Sequence, residues 1–417
     1  HGSRKHLMES ELYRAGAPAR HAQTAEGGVG MTASLRDARA RSERQVELDV
    51  ARGIAVLLMV CVHVQEVLSH SAVQYSLFGC IVEFVTGFPA APLFMIVMGV
   101  GTVYSRRQDA GYAIGRGASL LLLAYVLSAA RGYIPWSLGI KLGFLARDAV
   151  PYGDVLQSLL EVDILHFAGL CFILIGVLRA AKVPWGAYPV VGLVLGGLNY
   201  LVRGISAGQA HLDSILGLFW GASETSYFPF LSWVMYPMVG VAFGHILKNS
   251  SDKRRLYLQS LLAGSVVFLI AMCVSGFRFM YYMGFPEEHA YVYYHQDLIA
   301  NAVNGSLALV WLCVVYFLSG VFPAAVSQKL LYWSRELTPI YVIHWVLIGW
   351  TALLIGFNQL MFWQTVLAMA IIVVAADRLA AVYANWRRRR QVEVMHGCYL
   401  TVPSPAGGFD HRQPMWE

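Results

Sequence analysis

Ten apolar stretches, each about 17–25 residues long, alternate with short polar connections along the 417-residue chain. They lie near 47–68, 82–104, 117–135, 164–180, 187–202, 228–247, 257–276, 299–320, 333–355 and 360–381. At about 1.5 Å per residue, such lengths match the ~30 Å hydrocarbon core as α-helices. The fifth is the weakest, because Gly192, Gly196 and Gly197 thin it and Asn199 falls near its end. Pro92 suits the first turn of a helix, and Gly99 and Gly101 suit close helix approach. Pro339 predicts a kink that frees a carbonyl in the ninth stretch. No internal repeat stands out, which gives an inverted-repeat transporter no support. The expected fold is all-α: a polytopic integral membrane protein with about ten transmembrane helices in one bundle over 46–385. A polar segment, 1–45, precedes the bundle and shows no cleavable signal pattern. The basic and polar tail, 386–417, carries Pro403, Pro405, Gly407 and Gly408 and is expected to have little fold of its own.

Composition agrees, since 57% of residues are hydrophobic and only 13% charged. The net charge of +6 does not point to nucleic acid, because the basic residues sit in alternate loops. Arg36 to Arg44 precede the first stretch, and Arg106, Arg107 and Arg116 join the second and third. Arg179 and Lys182, then Lys248 to Arg255, then Lys329 and Arg335, and finally Arg387 to Arg390 continue the alternation. The positive-inside rule then places both termini in the cytoplasm, which an even number of spans requires. Five of the six cysteines lie in or beside apolar stretches, and no C-x-x-C pair occurs, so no metal is expected.

The first stretch holds Asp49, Arg52, His63 and Glu66, with His70 just beyond. Arg52 and His63 are about three helical turns, or ~16 Å, apart on one face, and Asp49 and His70 extend the stripe at helical spacing. An ionisable group at membrane depth costs about 3 kcal/mol or more and marks a functional site by default. A neutral histidine there can take a proton from an amine or hydroxyl. Arg52 can hold a phosphate or simply pair with Asp49.

Arg106, Arg107 and Arg116 form a basic mouth near Arg52, either a topology signal or a seat for a phosphorylated anionic donor. Asp163 and His166 open the fourth stretch, and His344 lies midway along the ninth. For both histidines, packing or gating competes with direct chemistry. The segment Phe277–Asp297 is rich in aromatic and polar side chains, as an interfacial aromatic belt or a carbohydrate acceptor site would be.

Arg52, ten intervening residues and His63 resemble the R-x10-H signature of the transmembrane acyltransferase superfamily. The surroundings, Leu48-Asp49-Val50-Ala51-Arg52-Gly53-Ile54-Ala55, look most like the branch related to heparan-α-glucosaminide N-acetyltransferase. Pro92-Leu93-Phe94 through Gly99, Ile164 to Phe167, Phe228 to Trp233 and Ile340 to His344 resemble that branch in the same order, so the likeness covers about 45–385. The resemblance implies acetyl-CoA as donor from the cytoplasmic side and a sugar acceptor on the far side. It implies His63 as catalytic base, with Arg52 supporting it or the donor and Asp49 beside Arg52. Some relatives use a histidine further along, so His70 stands as the alternative base. Arg106, Arg107 and Arg116 are then the candidate CoA contacts, and Asp163, His166, His344 and Glu66 the candidate acceptor contacts.

The expected activity is acyl transfer from cytoplasmic acetyl-CoA to an amine or hydroxyl of a carbohydrate-like acceptor, directly or through an acetyl-histidine. The alternative is a proton-coupled secondary transporter of a small anionic or sugar-like solute, which also carries intramembrane Arg, His and Asp. The expected setting is the plasma membrane, with acyl-CoA, a glycan or amino sugar, the lipid bilayer and, as one option, a second copy of the chain as partners.

Overall fold

The structure, a computed structural model, describes residues 45–276 and 293–400. The chain divides into His1–Val46 and Glu47–Glu417, and the fold considered below is that of the second unit. Its long helices are α1 (Val46–Leu68), α2 (Leu77–Tyr104), α3 (Ala110–Lys141), α4 (Ile164–Ala180), α5 (Trp185–Val202) and α6 (Phe230–Asn249). They continue as α7 (Lys253–Val274), α8 (Leu298–Ser319), α9 (Leu337–Ile355) and α10 (Phe362–Gln391). Among the described residues, nine of these are long and apolar enough to cross a membrane, and α4 is apolar but 17 residues long. No strand occurs among the described residues, so the chain is an all-α, multi-pass membrane protein.

Aspartates start several helices by accepting a backbone N–H that has no partner inside the helix. Asp109 accepts from Tyr112 N (2.6 Å), Asp252 from Arg255 N (2.9 Å) and Asp297 from Ala300 N (2.8 Å). Contacts join the basic ends near the start of α1: Tyr257 OH of α7 donates to Glu47 (3.1 Å), Ser334 Oγ to Asp49 (3.1 Å), Arg179 of α4 to the Thr102 carbonyl (2.9 Å) and Arg387 of α10 to Glu336 (3.1 Å).

Helix α6 is the centre, with 78% of its span buried, whereas α5 and α7 are each only 22% buried and turn apolar side chains outward as a lipid-facing wall does. Helices α2 and α6 meet at reciprocal glycines: a methyl on Gly99 would strike the Pro237 carbonyl, and one on Gly240 the Ile96 carbonyl. Such contact replaces the hydrophobic drive that lipid does not supply. Gly101 makes no such approach, because its nearest neighbour is the Arg52 guanidinium at 3.7 Å.

The structure departs from the sequence expectations in four places. Helix α2 starts at Leu77, so Pro92 lies inside it and not in its first turn. The helix accommodates its prolines by widening: residues Glu83–Gly87 form a π-turn just before Pro89, whose missing N–H would have bonded Val85. Pro339 does not kink the ninth span, because the chain breaks at Glu336 between Ala324–Arg335 and α9, leaving Pro339 in a first turn. Helix α1 ends at Leu68, where Ser69 pairs with Leu360 and His70 N bonds the Leu360 carbonyl at 2.8 Å, so His70 leaves the helical stripe. The last helix continues to Leu400, past the expected boundary of the tail, through helix-favouring Arg387 to Arg390.

Gly99→Val should lower the melting temperature of the purified protein, since overpacking costs about 1–3 kcal/mol. Gly101→Ala should leave it unchanged. Equal melting of both variants would show that the α2–α6 contact does not limit stability.

Candidate active site

A cavity of about 760 Å³ runs along α1. Its inner end is walled by Ala55, Val56 and Leu337, and its outer end by Gln74, Tyr75, Tyr152 and Asn358. Ala55 lies one turn beyond Arg52, and Ala55 to Glu66 covers ~16 Å of helix, so the cavity occupies much of the membrane's depth.

His63 lines this cavity, and its Nδ1 lies 2.9 Å from Nε2 of His344 on α9. His344 Nδ1 is 3.1 Å from the Ile340 carbonyl. A carbonyl oxygen only accepts, so with both rings neutral the tautomers are fixed. His344 Nδ1–H donates to Ile340 O, His344 Nε2 accepts from His63 Nδ1–H, and His63 Nε2 keeps its lone pair. The arrangement is a base oriented by a second group that is itself oriented by a third.

Trp345 stacks on His63 with ring centroids 4.2 Å apart, and the Arg131 guanidinium lies 4.1 Å from the Trp345 ring. Arg131 sits in a second π-turn, Ala129–Tyr133 of α3, which directs its side chain into the cavity wall. Gly349 lets α9 touch this turn, since a methyl there would strike the Arg131 carbonyl. Arg131 Nη2 pairs with Glu161 Oε1 at 2.6 Å and with Asp163 Oδ2 at 3.3 Å. Tyr341 OH donates to Asp163 Oδ1, which also caps α4 at Ile164 N. Burial raises the Glu161 carboxyl above its usual range, with Arg131 opposing and Asp163 adding to the rise.

Tyrosines close the outer end. Tyr152 OH and Tyr227 OH are 2.5 Å apart, and Tyr294 OH donates to Glu66 Oε1 at 3.4 Å. Tyr152 adopts φ 61°, a left-handed conformation uncommon for non-glycine residues. Burial raises both the Tyr152 and Tyr227 hydroxyls well above the ordinary phenol range, so they remain protonated donors.

Of the residues singled out by sequence, His63, Glu66 and Asp163 line the cavity, and His344 reaches it through His63. Arg52 and Asp49 do not line it. Arg52 Nη1 contacts Asp49 Oδ1 (3.0 Å) and Ser334 Oγ (3.1 Å), and Ser334 Oγ donates to Asp49 Oδ1 (3.1 Å), tying α1 to Ala324–Arg335. His70 is exposed and accepts from Ala72 N at 3.2 Å as a helix cap, outside the cavity wall. His166 is fully buried and completes a capping box by accepting from Asp163 N at 3.1 Å, behind the wall. Arg106 and Arg107 are exposed after α2, and Arg116 covers the Phe172 ring at 5.0 Å. Of the aromatic segment Phe277–Asp297, residues 277–292 lie outside the described residues, while Tyr293 and Tyr294 line the cavity. No metal-ligating cluster occurs among the described residues.

Sequence reading missed Arg131, Glu83 and Glu161. Arg131 and Glu83 each stand inside an apolar stretch, so the rule that singled out His63 applies to them equally.

Residues 44–286 match the catalytic-domain model of heparan-alpha-glucosaminide N-acetyltransferase. The chain belongs to this family. It is therefore a membrane acetyltransferase of the heparan-alpha-glucosaminide type. A search among curated proteins finds no match. The matched segment includes the R-x10-H pair, Arg131 and the acids that hold it, but ends before His344 and α9.

Arg131→Met should destabilise this acetyltransferase by about 3–5 kcal/mol, because it leaves Glu161 and Asp163 buried without a cation. Adding Glu161→Gln should restore part of the loss, read as melting temperature in detergent. Unchanged melting of the single variant would mean that the acids find another counter-charge.

Proposed function

We propose that the protein transfers the acetyl group of acetyl-CoA to an amine or hydroxyl of a carbohydrate-like acceptor, with His63 as general base. The observation that carries this reading is the relay from His63 through His344 to the Ile340 carbonyl, beside a cavity large enough for a sugar. In the reading, CoA phosphates rest at the basic end near Arg106, Arg107 and Arg116, and the thioester arm reaches inward past the level of Arg52. The acceptor enters from the end bearing Glu66 and Tyr294, with Asp163 in the wall it meets. His63 Nε2 removes the nucleophile's proton as the nucleophile attacks the thioester carbonyl, and that proton leaves with the CoA thiolate. His344 keeps Nε2 unprotonated by accepting from Nδ1–H. The alternation of basic loops supports a cytoplasmic basic end and an outward acceptor end, with the plasma membrane as the setting. Direct transfer and transfer through acetyl-His63 use the same nitrogen, and acetyl retained on the protein after donor alone marks the second.

His63→Ala should lower acetyl transfer by about 10²–10⁴-fold while CoA binding persists, as general-base removal does. His344→Ala should also slow transfer, since His63 loses its orienting partner, and His70→Ala should leave it near normal. Thiol release from acetyl-CoA measures all three. Loss of turnover in His70→Ala with retention in His63→Ala would move the base to His70, and retention in both would remove the acyltransferase assignment of this cavity.

Arg106→Gln, Arg107→Gln and Arg116→Gln combined should weaken CoA binding by roughly ten- to a hundred-fold per lost phosphate contact. An unchanged CoA dissociation constant, measured by calorimetry, would assign these arginines to topology alone.

A further inference from the structure

The cavity is lined by four carboxyl groups and a single described cation. Glu66, Glu83, Glu161 and Asp163 line it, and the one cation among the described lining residues is Arg131. Arg131 is already paired with Glu161 and Asp163, so it does not serve the other two acids. Glu66 and Glu83 are near enough to repel each other. The Glu83 carboxyl has no hydrogen bond or ion pair among the described residues, and the Glu66 carboxyl receives only the 3.4 Å contact from Tyr294 OH. Carboxyl groups at membrane depth are costly to ionise without a counter-charge, and a bound cation would supply it. The groups facing the pair are Tyr293 and Tyr294 before α8, Tyr227 before α6, and His63 one turn deeper on α1. None of the three tyrosines brings a positive charge.

The geometry points to Glu66 and Glu83 as the receptor for a protonated amine, and as the first of two bases that an amine acceptor needs. This inference rests on the reading of His63 as the acyl-transfer base. An amine near neutral pH enters largely as an ammonium, which has no lone pair with which to attack. Two protons must leave its nitrogen before the amide is complete. The carboxylate pair takes the first and passes it to the outer mouth of the cavity. The amine then attacks the thioester carbonyl, the N–C bond forms, and His63 takes the second proton. The C–S bond breaks, and that proton goes to the departing thiolate. The balance is R–NH3+ plus acetyl-S-CoA giving R–NH–acetyl, HS-CoA and H+. Glu66 follows His63 by three residues, about 4.5 Å along the same helical face, so one nitrogen can pass from the pair to the base with little movement. A hydroxyl acceptor needs only His63, so the acid pair favours amines over hydroxyls.

The test is a pH profile of acetyl transfer to glucosamine by the full chain in lipid nanodiscs, for wild type and for Glu66→Gln/Glu83→Gln. With an amine pKa of about 7.7–8.0, only about 1–2% is free base at pH 6. A variant confined to the free base should therefore lose about 50–100-fold at pH 6 and recover to near the wild-type rate at pH 9. A profile parallel to that of wild type, with no loss or with the same loss at every pH, would overturn the inference and leave the His63 reading standing. If wild type itself transfers no acetyl to any amine, that reading fails and this one with it. Unaltered protein supplies a second measurement should the double variant not fold. A trimethylammonium sugar should compete with glucosamine at least about tenfold better than its neutral isostere, as charge-assisted contacts require. Equal inhibition by the two would also overturn the proposal.

Discussion

The hydrogen bond from His63 Nδ1–H to His344 Nε2 governs how the rest of the site is built. It has one direction only, because the Ile340 carbonyl on the far side of His344 cannot donate. A backbone oxygen on α9 thereby decides which nitrogen of a ring on α1 bears the lone pair. The two helices must hold their relative height for the bond to survive, and each side of that contact is fixed independently. At the inner end, Asp49, Arg52 and Ser334 clamp α1 to the helix that precedes α9. At the outer end, Ser69 pairs with Leu360 in the connection between α9 and α10. The arginine of the R-x10-H spacing is thus a clamp at one end of the lever whose other end carries the histidine. The three turns between them set how far His63 lies from that anchor.

Around this bond the structure spends irregular backbone where charge must face the cavity. The two π-turns, Glu83–Gly87 in α2 and Ala129–Tyr133 in α3, carry Glu83 and Arg131. A regular helix presents side chains at a period of 3.6 residues, and an inserted residue shifts that presentation locally. Arg131 then meets Glu161 and Asp163, and its other face covers Trp345, which in turn lies on His63. The buried ion cluster and His63 are therefore one packed stack, and movement of the arginine would disturb the His63 ring.

Much of the architecture was legible because lipid imposes it. A span needs an unbroken apolar run, and each of the ten runs is helical, although the ninth breaks at Glu336 and the third and tenth helices extend well past the runs read from sequence. His63 and Glu66 were legible for the same reason, as ionisable groups that hydrocarbon tolerates only with a use. What stayed hidden depended on contacts distant in sequence. His344 is 281 residues from His63, and no local pattern marks the two as partners. His70 was misplaced because nothing in Leu68-Ser69-His70-Ser71 breaks a helix. The stop comes from Leu360, nearly three hundred positions away. Arg131 was passed over beside the expected end of its span, although the rule that found Arg52 covered it. His166, for which packing and direct chemistry both stood open, is half of a capping box with Asp163.

Charge along the cavity divides the chemistry by depth. Positive residues gather in the loops at the end where α1 begins, the mid-depth holds the His63–His344 pair, and Glu66 and Glu83 lie outward of it with no cation of their own among the described lining residues. A donor bearing phosphates and an acceptor bearing an ammonium would each be drawn to one end and repelled from the other. Opposite potentials at the two mouths raise the local concentration of the right reactant and exclude the wrong one, without any moving gate. On the reading proposed above, the reactants meet only at His63, the one depth where neither potential dominates. In that reading the Glu66–Glu83 pair sits one turn outward of His63, near enough to prepare the nitrogen for attack.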